Sequence, residues 1–167
     1  MMKRHFTVTC YLIEKTRVLL LFHPKYKKWL PPGGHLMENE TPIEGLMREV
    51  LEETGLLLEL LQEEHIWIEE PNAVSLARPY FCLLERSPPH LDQEEHEHID
   101  LIYVGRPIGG VLLQDPLLRW FTLEEVMALP NGKIFLDTQK TIQHLLHRAE
   151  YLSVIEPSQT SASKTST

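Results

Sequence analysis

The sequence predicts an α/β (α+β) layer fold, with a mixed β-sheet held between helices. Three observations carry this. Runs of β-branched, aromatic and aliphatic residues recur at strand length between polar breaks. Three segments show helix signals, either a capping sequence or apolar residues at helical spacing. The two kinds of segment interleave along the chain, which is the pattern of a layered α/β structure. A chain of 167 residues, 43% hydrophobic and 24% charged, suits one soluble domain with a sizeable core.

Taken in order, His5 to Ile13 (HFTVTCYLI) reads as a strand, and Arg17 to Phe22 (RVLLLF) as a second one joined to it in a hairpin. The continuous apolar run of the second strand indicates burial on both faces. His23 to Trp29 is a loop rich in lysine. It leads into Leu30-Pro31-Pro32-Gly33-Gly34, where prolines and paired glycines disfavour regular structure and allow backbone to approach a ligand. A helix is expected over 42–54. Thr41 caps it, Pro42 takes its first position, and Glu44 closes a capping box. Ile43, Met47, Val50 and Thr54 form its apolar stripe, and Gly55 ends it.

Beyond the helix, Leu56 to Leu61 is a strand that His65 to Ile68 continues until Glu69-Glu70-Pro71-Asn72 breaks it. Pro79 to Glu85 is a strand, Arg86 to Glu95 a polar acidic loop, and His98 to Val104 an interior strand. Gly105 to Gly110 reads as a turn-rich connector. Leu118 to Phe121 is a short strand, and Thr122 to Glu125 is a second capping box that opens a short helix. Phe135 to Tyr151 is a long amphipathic helix. The domain is expected to span residues 1–152, with 153–167 a disordered Ser/Thr-rich tail.

The helix over 42–54 carries the chemistry. Glu49, Glu52 and Glu53 share one helical face, and three carboxylates that close repel one another unless something neutralises them. A hard divalent cation with oxygen ligands, Mg²⁺ or Mn²⁺, is the natural neutraliser. On an arbitrary helix such charges are a solvated face. Here Gly34, Glu40, Arg48, Glu49, Val50, Glu52, Glu53, Gly55 and Leu56 fill every specified position of a longer pattern, and the segment Gly34–Leu56 resembles the box of the Nudix hydrolases. At average residue usage, chance agreement is below about one in a million.

The resemblance implies an α/β/α sandwich with the catalytic helix beside a mixed sheet. It also implies metal-dependent hydrolysis of a diphosphate bond in a nucleoside diphosphate linked to another moiety. Glu52 and Glu53 would be the principal metal ligands, Glu49 would join them or activate water, and the Gly33 carbonyl would be a further ligand. Arg48 would orient the glutamates, and Glu40 would tie the loop to the helix. For the general base Glu49 is set slightly ahead of Glu94, Glu95 and Glu97, which lie in the acidic loop. Trp29, Tyr26 and Tyr80 are candidates for stacking on a base, and Lys25, Lys27, Lys28, Arg78 and Arg106 for phosphate contacts. Dimers are common among similar proteins, and the sequence leaves the oligomeric state open.

Other features narrow the reading. A net charge of −8 argues against a protein that wraps a nucleic-acid backbone, though not against a nucleotide, because bound metal inverts the local sign. The two cysteines, Cys10 and Cys82, sit in apolar strand-like runs and read as buried free thiols in a reducing cytoplasm. No run has the length of a membrane span and no signal-peptide pattern is evident, so a cytoplasmic protein is expected. His96, His98 and Asp100 fall on one side of a strand, but without a cysteine partner or a recognised ligand set they read as hydrogen-bonded strand residues rather than a zinc site. An isoprenyl diphosphate isomerase of the same fold needs a catalytic cysteine and a histidine-rich metal site, and two cysteines that both read as buried strand residues weigh against it. A non-catalytic nucleotide sensor is the alternative from another class, and the intact box weighs against it.

Overall fold

The computed structural model describes residues 2–62, 66–89 and 94–155. Strands β1 (Lys3–Glu14) and β2 (Arg17–His23) form the expected hairpin, closed by Ile13 opposite Val18. The loop that follows is more regular than its composition suggests. Strand β3 (Lys28–Leu30) pairs with β2, and β4 (Gly33–His35) pairs antiparallel with β1, Gly33 opposite Thr9. The glycines do not break the ladder but permit it: a Cβ on Gly33 would collide with the Val8 carbonyl oxygen across the pair.

Helix α1 (Pro42–Thr54) has the predicted bounds. Its capping box is complete in both directions, and Gly55, at φ 76°, returns its N–H to the Leu51 carbonyl at 2.9 Å. The buried face differs from the expected stripe by one residue. Leu46 is fully buried with Val50 and Thr54, whereas Met47 is 37% exposed. Burying Leu46 and Val50 anchors the helix by about 1.5–3 kcal/mol each.

After α1 come β5 (Leu56–Leu60), the small hairpin β6 (Glu69–Glu70) and β7 (Ala73–Val74), then β8 (Phe81–Ser87) and β9 (His96–Gly110). The strand expected over 65–68 does not form at Ile66 to Ile68, and His65 lies outside the described residues. Gly105 to Gly110 is not a connector. It extends β9 and pairs antiparallel with β5, because a glycine at 105 leaves room for the Glu59 carbonyl on the neighbouring strand. Strand β10 (Leu118–Thr122), helix α2 (Leu123–Met127) and helix α3 (Leu136–Ile155) complete the order. Helix α3 runs through 153–155, the first residues of the expected disordered tail, and the rest of that segment, 156–167, lies outside the described residues, as do residues 90–93 of the acidic loop.

The main sheet has eight strands, in the order β10-β2-β1-β9-β5, with β3 on β2, β4 on β1 and β8 on β9. Strands β1 and β9 run parallel and the other pairs antiparallel, so the sheet is mixed. Alternation on the strands builds a core on each face. Val8, Cys10, Leu12, Leu19 and Tyr103 pack with Leu46 and Val50 of α1. Tyr11, Val18, Leu20, Ile102 and Val104 pack with Val126 of α2 and Ile142, Leu145 and Leu146 of α3. Helices cover both faces, which is the predicted sandwich.

One cysteine departs from expectation. Cys10 is buried, but Cys82 is exposed. Among the described residues strand β8 pairs with β9 alone, and its outward positions Cys82 and Leu84 are left to solvent. Among the described residues, no helix is long and apolar enough to cross a membrane.

Candidate active site

The site is built where α1, β4 and β1 meet. Arg48 is its hub. Its guanidinium donates to both oxygens of Glu40 (2.7 and 2.9 Å), to Glu49 Oε1 (2.7 Å), to Glu52 Oε2 (3.4 Å) and to the His35 carbonyl (3.2 Å). Glu40 also accepts from the Met37 N–H at 2.9 Å. The fork-on-fork pair holds the Glu40 carboxyl down to about 2 and keeps Arg48 firmly cationic. The loop is thereby tied to the helix through Glu40. The contact four residues back, Glu44, is instead taken by the Thr41 cap.

The three helix glutamates have different surroundings. Glu52 is 59% exposed. Glu49 lies over Gly34, where an added Cβ would sit 2.5 Å from Glu49 Oε1. Glu53 accepts the Gly33 N–H at 2.9 Å and turns into a cavity of about 500 Å³. Burial, with Glu49 and Glu52 adding to it and the Gly33 N–H opposing, pushes the Glu53 carboxyl up to about 7. Arg48 faces Glu40, Glu49 and Glu52 at once, so oxygen-borne negative charge at this end of α1 exceeds what its guanidinium neutralises. The donor set of Glu49, Glu52, Glu53 and the nearby Gly33 carbonyl fits a hard divalent ion.

The cavity lies on the α3 face of the sheet, because Thr7, Thr9 and Tyr11 of β1, His98, Asp100 and Ile102 of β9, and Leu83 and Glu85 of β8 all project there. Its floor is acidic. Asp100 accepts from Thr7 Oγ1 (2.9 Å) and Thr9 Oγ1 (2.8 Å), and burial still raises its pKa against those two bonds. Glu85 is pushed up to about 7 by burial first, then by Asp100 and Asp137. Lys25, Tyr26, Lys28 and Arg86 also line the cavity. Burial and the neighbouring histidines push His98 down to about 4, and burial likewise lowers His35.

Other residues singled out from the sequence fall elsewhere. Trp29 is edge-to-face with Phe121 at 4.8 Å and Phe22 at 5.4 Å, so it is part of the core. Arg106 pairs with Glu59 on β5, and Arg78 is exposed; neither lines the cavity. Lys27 is an exposed turn residue at φ 54°, and the Tyr80 hydroxyl is held by Arg148 (2.6 Å). Glu97 is buried on the opposite sheet face from His96 and His98, paired with Arg4 at 2.8 Å. Glu94 and Glu95 are exposed. Cys82 lies outside the cavity lining, so its exposure does not supply the thiol that an isomerase of this fold would need there. Thr7, Thr9, Glu85 and Asp137 were not singled out from sequence. Alternation along β1 and β8 marks the first three, but nothing marks the cavity before the strands are paired.

The family model for the NUDIX domain matches residues 3–143 of the chain. Among solved structures, a NUDIX-family hydrolase from Clostridium perfringens aligns with TM-score 0.70 and 28% identity, covering 87% of this chain and 98% of that one. A MutT protein from Bacillus halodurans aligns with TM-score 0.53 and 23% identity over 86% and 82% of the two chains. A UDP-X diphosphatase aligns with TM-score 0.56 and 15% identity over 89% and 64%. The latter two are likenesses of fold.

Proposed function

The chain belongs to the Nudix family, and from that membership we propose that it is a divalent-metal-dependent pyrophosphohydrolase. Its substrate would be a nucleoside diphosphate linked to another moiety, of the nucleoside triphosphate, ADP-ribose or nucleotide-sugar type. The supporting observation is the junction at which Glu53 accepts the Gly33 N–H and enters the cavity, with Glu49 beside it under the control of Arg48. Such a cavity can hold a nucleotide-sized ligand.

Glu49, Glu52, Glu53 and the Gly33 carbonyl are the residues that would hold Mg²⁺ or Mn²⁺. Bound there, the metal supplies charge neutralisation for the diphosphate and a more acidic water. The protein's own part is positional. Arg48 fixes Glu49 through a 2.7 Å bond, so that a carboxylate oxygen is presented at one place to accept a proton from the attacking water. Gly34 leaves that carboxylate its space. Lys25 and Lys28 on the cavity wall offer positive charge to the departing phosphate. Asp100 and Glu85 make the floor a hydrogen-bonding surface for a sugar or base.

The test is a panel of nucleoside triphosphates, ADP-ribose, nucleotide sugars and dinucleotide polyphosphates, assayed for nucleotide or phosphate release with Mg²⁺ and Mn²⁺ against EDTA. Chelator-sensitive turnover of at least one compound is expected. Tight binding of a nucleotide with no turnover in either metal would establish the sensor reading instead.

A further inference from the structure

Four imidazoles converge at the rim of the cavity from three different strands. His5 is on β1, His35 on β4, and His96 and His98 on β9. The pairing register makes the cluster. His5 lies opposite His98 in the parallel β1–β9 ladder, and Thr7, two residues on, lies opposite His35. All four side chains project on one sheet face, and one ring nitrogen from each lies within 4.8 Å of the other three. Ring centroids are 4.8 Å apart for His35–His98 and His96–His98, and 5.2 Å for His5–His96. Among the described residues no carboxylate enters the cluster: Asp100, the next residue of β9 on this face, has one oxygen on Thr7 and the other on Thr9.

The proton positions are constrained. His96 is buried, and its Nδ1 lies 2.8 Å from the Glu94 carbonyl, which can accept but not donate. Nδ1 therefore carries the hydrogen, and in the neutral ring Nε2 presents a lone pair. That lone pair accepts from His98 Nε2 at 3.0 Å, a proton that a metal ion would replace. A ligating histidine characteristically donates its other N–H to a backbone carbonyl, which fixes the tautomer and aims the lone pair. Ligand nitrogens around a tetrahedral Zn²⁺ lie about 3.3 Å apart, given metal–nitrogen distances of about 2.0–2.1 Å. The closest pair here is already near that separation, and His5 and His35, both exposed, can swing in.

We propose that His5, His35, His96 and His98 form a second metal site, distinct from the glutamate helix in its ligand chemistry, for a borderline transition ion of the Zn²⁺ class. Imidazole nitrogens select such ions, whereas the carboxylates of α1 suit Mg²⁺ or Mn²⁺. The two donor sets adjoin the segment Gly33 to His35 and select different ions. The spacing of His96 and His98 did not show this, because the other two ligands come from strands that only folding brings alongside.

The site is tested in the full chain carrying E52Q/E53Q, which weakens the carboxylate site. Co²⁺, as a spectroscopic substitute for Zn²⁺, is titrated while the visible d–d bands are followed, and bound metal is counted after gel filtration. One Co²⁺ per chain with tetrahedral bands, displaced by Zn²⁺ and not by Mg²⁺, is expected. H98Q and H5A should each weaken it by more than about 100-fold, beyond the 10–100-fold usual for removing a supporting partner. Because His5 is exposed, H5A keeps the fold and decides the matter even where H98Q does not fold. Absence of the bands, or bands and stoichiometry unchanged in H5A, would overturn the site.

Discussion

Glu85 makes the acidic cavity floor measurable. Its carboxyl is pushed from the ordinary 4.5 up to about 7 by burial and by Asp100 and Asp137, with His98 opposite it across the β8–β9 pair. Below about pH 4.5 the acid is protonated whether the chain is folded or unfolded, and it contributes no pH dependence. Between about 4.5 and 7 the unfolded chain releases the proton and the folded chain keeps it, so stability falls as pH rises. Above about 7 the loss is complete. The rise from 4.5 to about 7 sets a ceiling of roughly 3–4 kcal/mol, and partial exposure of the group lowers this to about 2–3 kcal/mol. E85Q removes the titration. Urea unfolding of the metal-free protein should show E85Q more stable than the wild type by about 2–3 kcal/mol at pH 8 and within about 0.5 kcal/mol of it at pH 4.5. For a chain of this size the pH 8 difference corresponds to roughly 4–12 °C in Tm. A difference that is independent of pH, or one that grows toward acid, would refute the assignment of Glu85 as a buried, high-pKa carboxyl.

Three further outcomes follow from the same geometry. G34A places a methyl group 2.5 Å from Glu49 Oε1; the carboxylate should move by about 1 Å, lowering kcat about 10²-fold with little change in Tm, as steady-state kinetics and calorimetry would show. E49Q should lower kcat by about 10²–10⁴ while binding of a non-hydrolysed nucleotide persists, and near-normal turnover would pass the base role to the exposed acids Glu94 or Glu95, Glu97 being buried against Arg4 on the other sheet face. In native protein a thiol-reactive dye should label Cys82 at once and Cys10 only on unfolding; Cys10 is fully buried and its thiol is pushed far up by that burial.

Signals that act within one turn or hairpin are legible in this sequence, and those that depend on strand pairing are not. Helix α1 was legible because Thr41, Pro42, Glu44 and Gly55 each act within a turn of its ends. The hairpin of β1 and β2 was legible for the same reason. Strand β4 was missed because Pro31, Pro32 and the two glycines argue against a ladder until β1 is seen to need neighbours without side chains. The extension of β9 through Gly105–Gly110 was missed likewise, since its partner β5 lies about fifty residues away in sequence. The box gave Glu49, Glu52, Glu53, Arg48 and Glu40 together. The cavity wall of Thr7, Thr9, Glu85, Asp100 and Asp137 comes from four elements and has no linear pattern. Trp29 shows the converse: an aromatic beside a candidate phosphate loop was open to a stacking role, and the Phe22–Phe121 slot claimed it.

The proposed hydrolysis is tested most directly by comparing wild type, E53Q and E52Q/E53Q on the best substrate of the panel, with Mg²⁺ titrated from zero. Wild-type turnover should rise with the metal and vanish with EDTA. Both variants should lose at least about 10³-fold in kcat/KM, roughly 4 kcal/mol of transition-state stabilisation, while keeping wild-type circular dichroism. Turnover in the double variant within about tenfold of wild type, or turnover that survives the chelator, would contradict a metal-dependent reaction centred on the α1 glutamates.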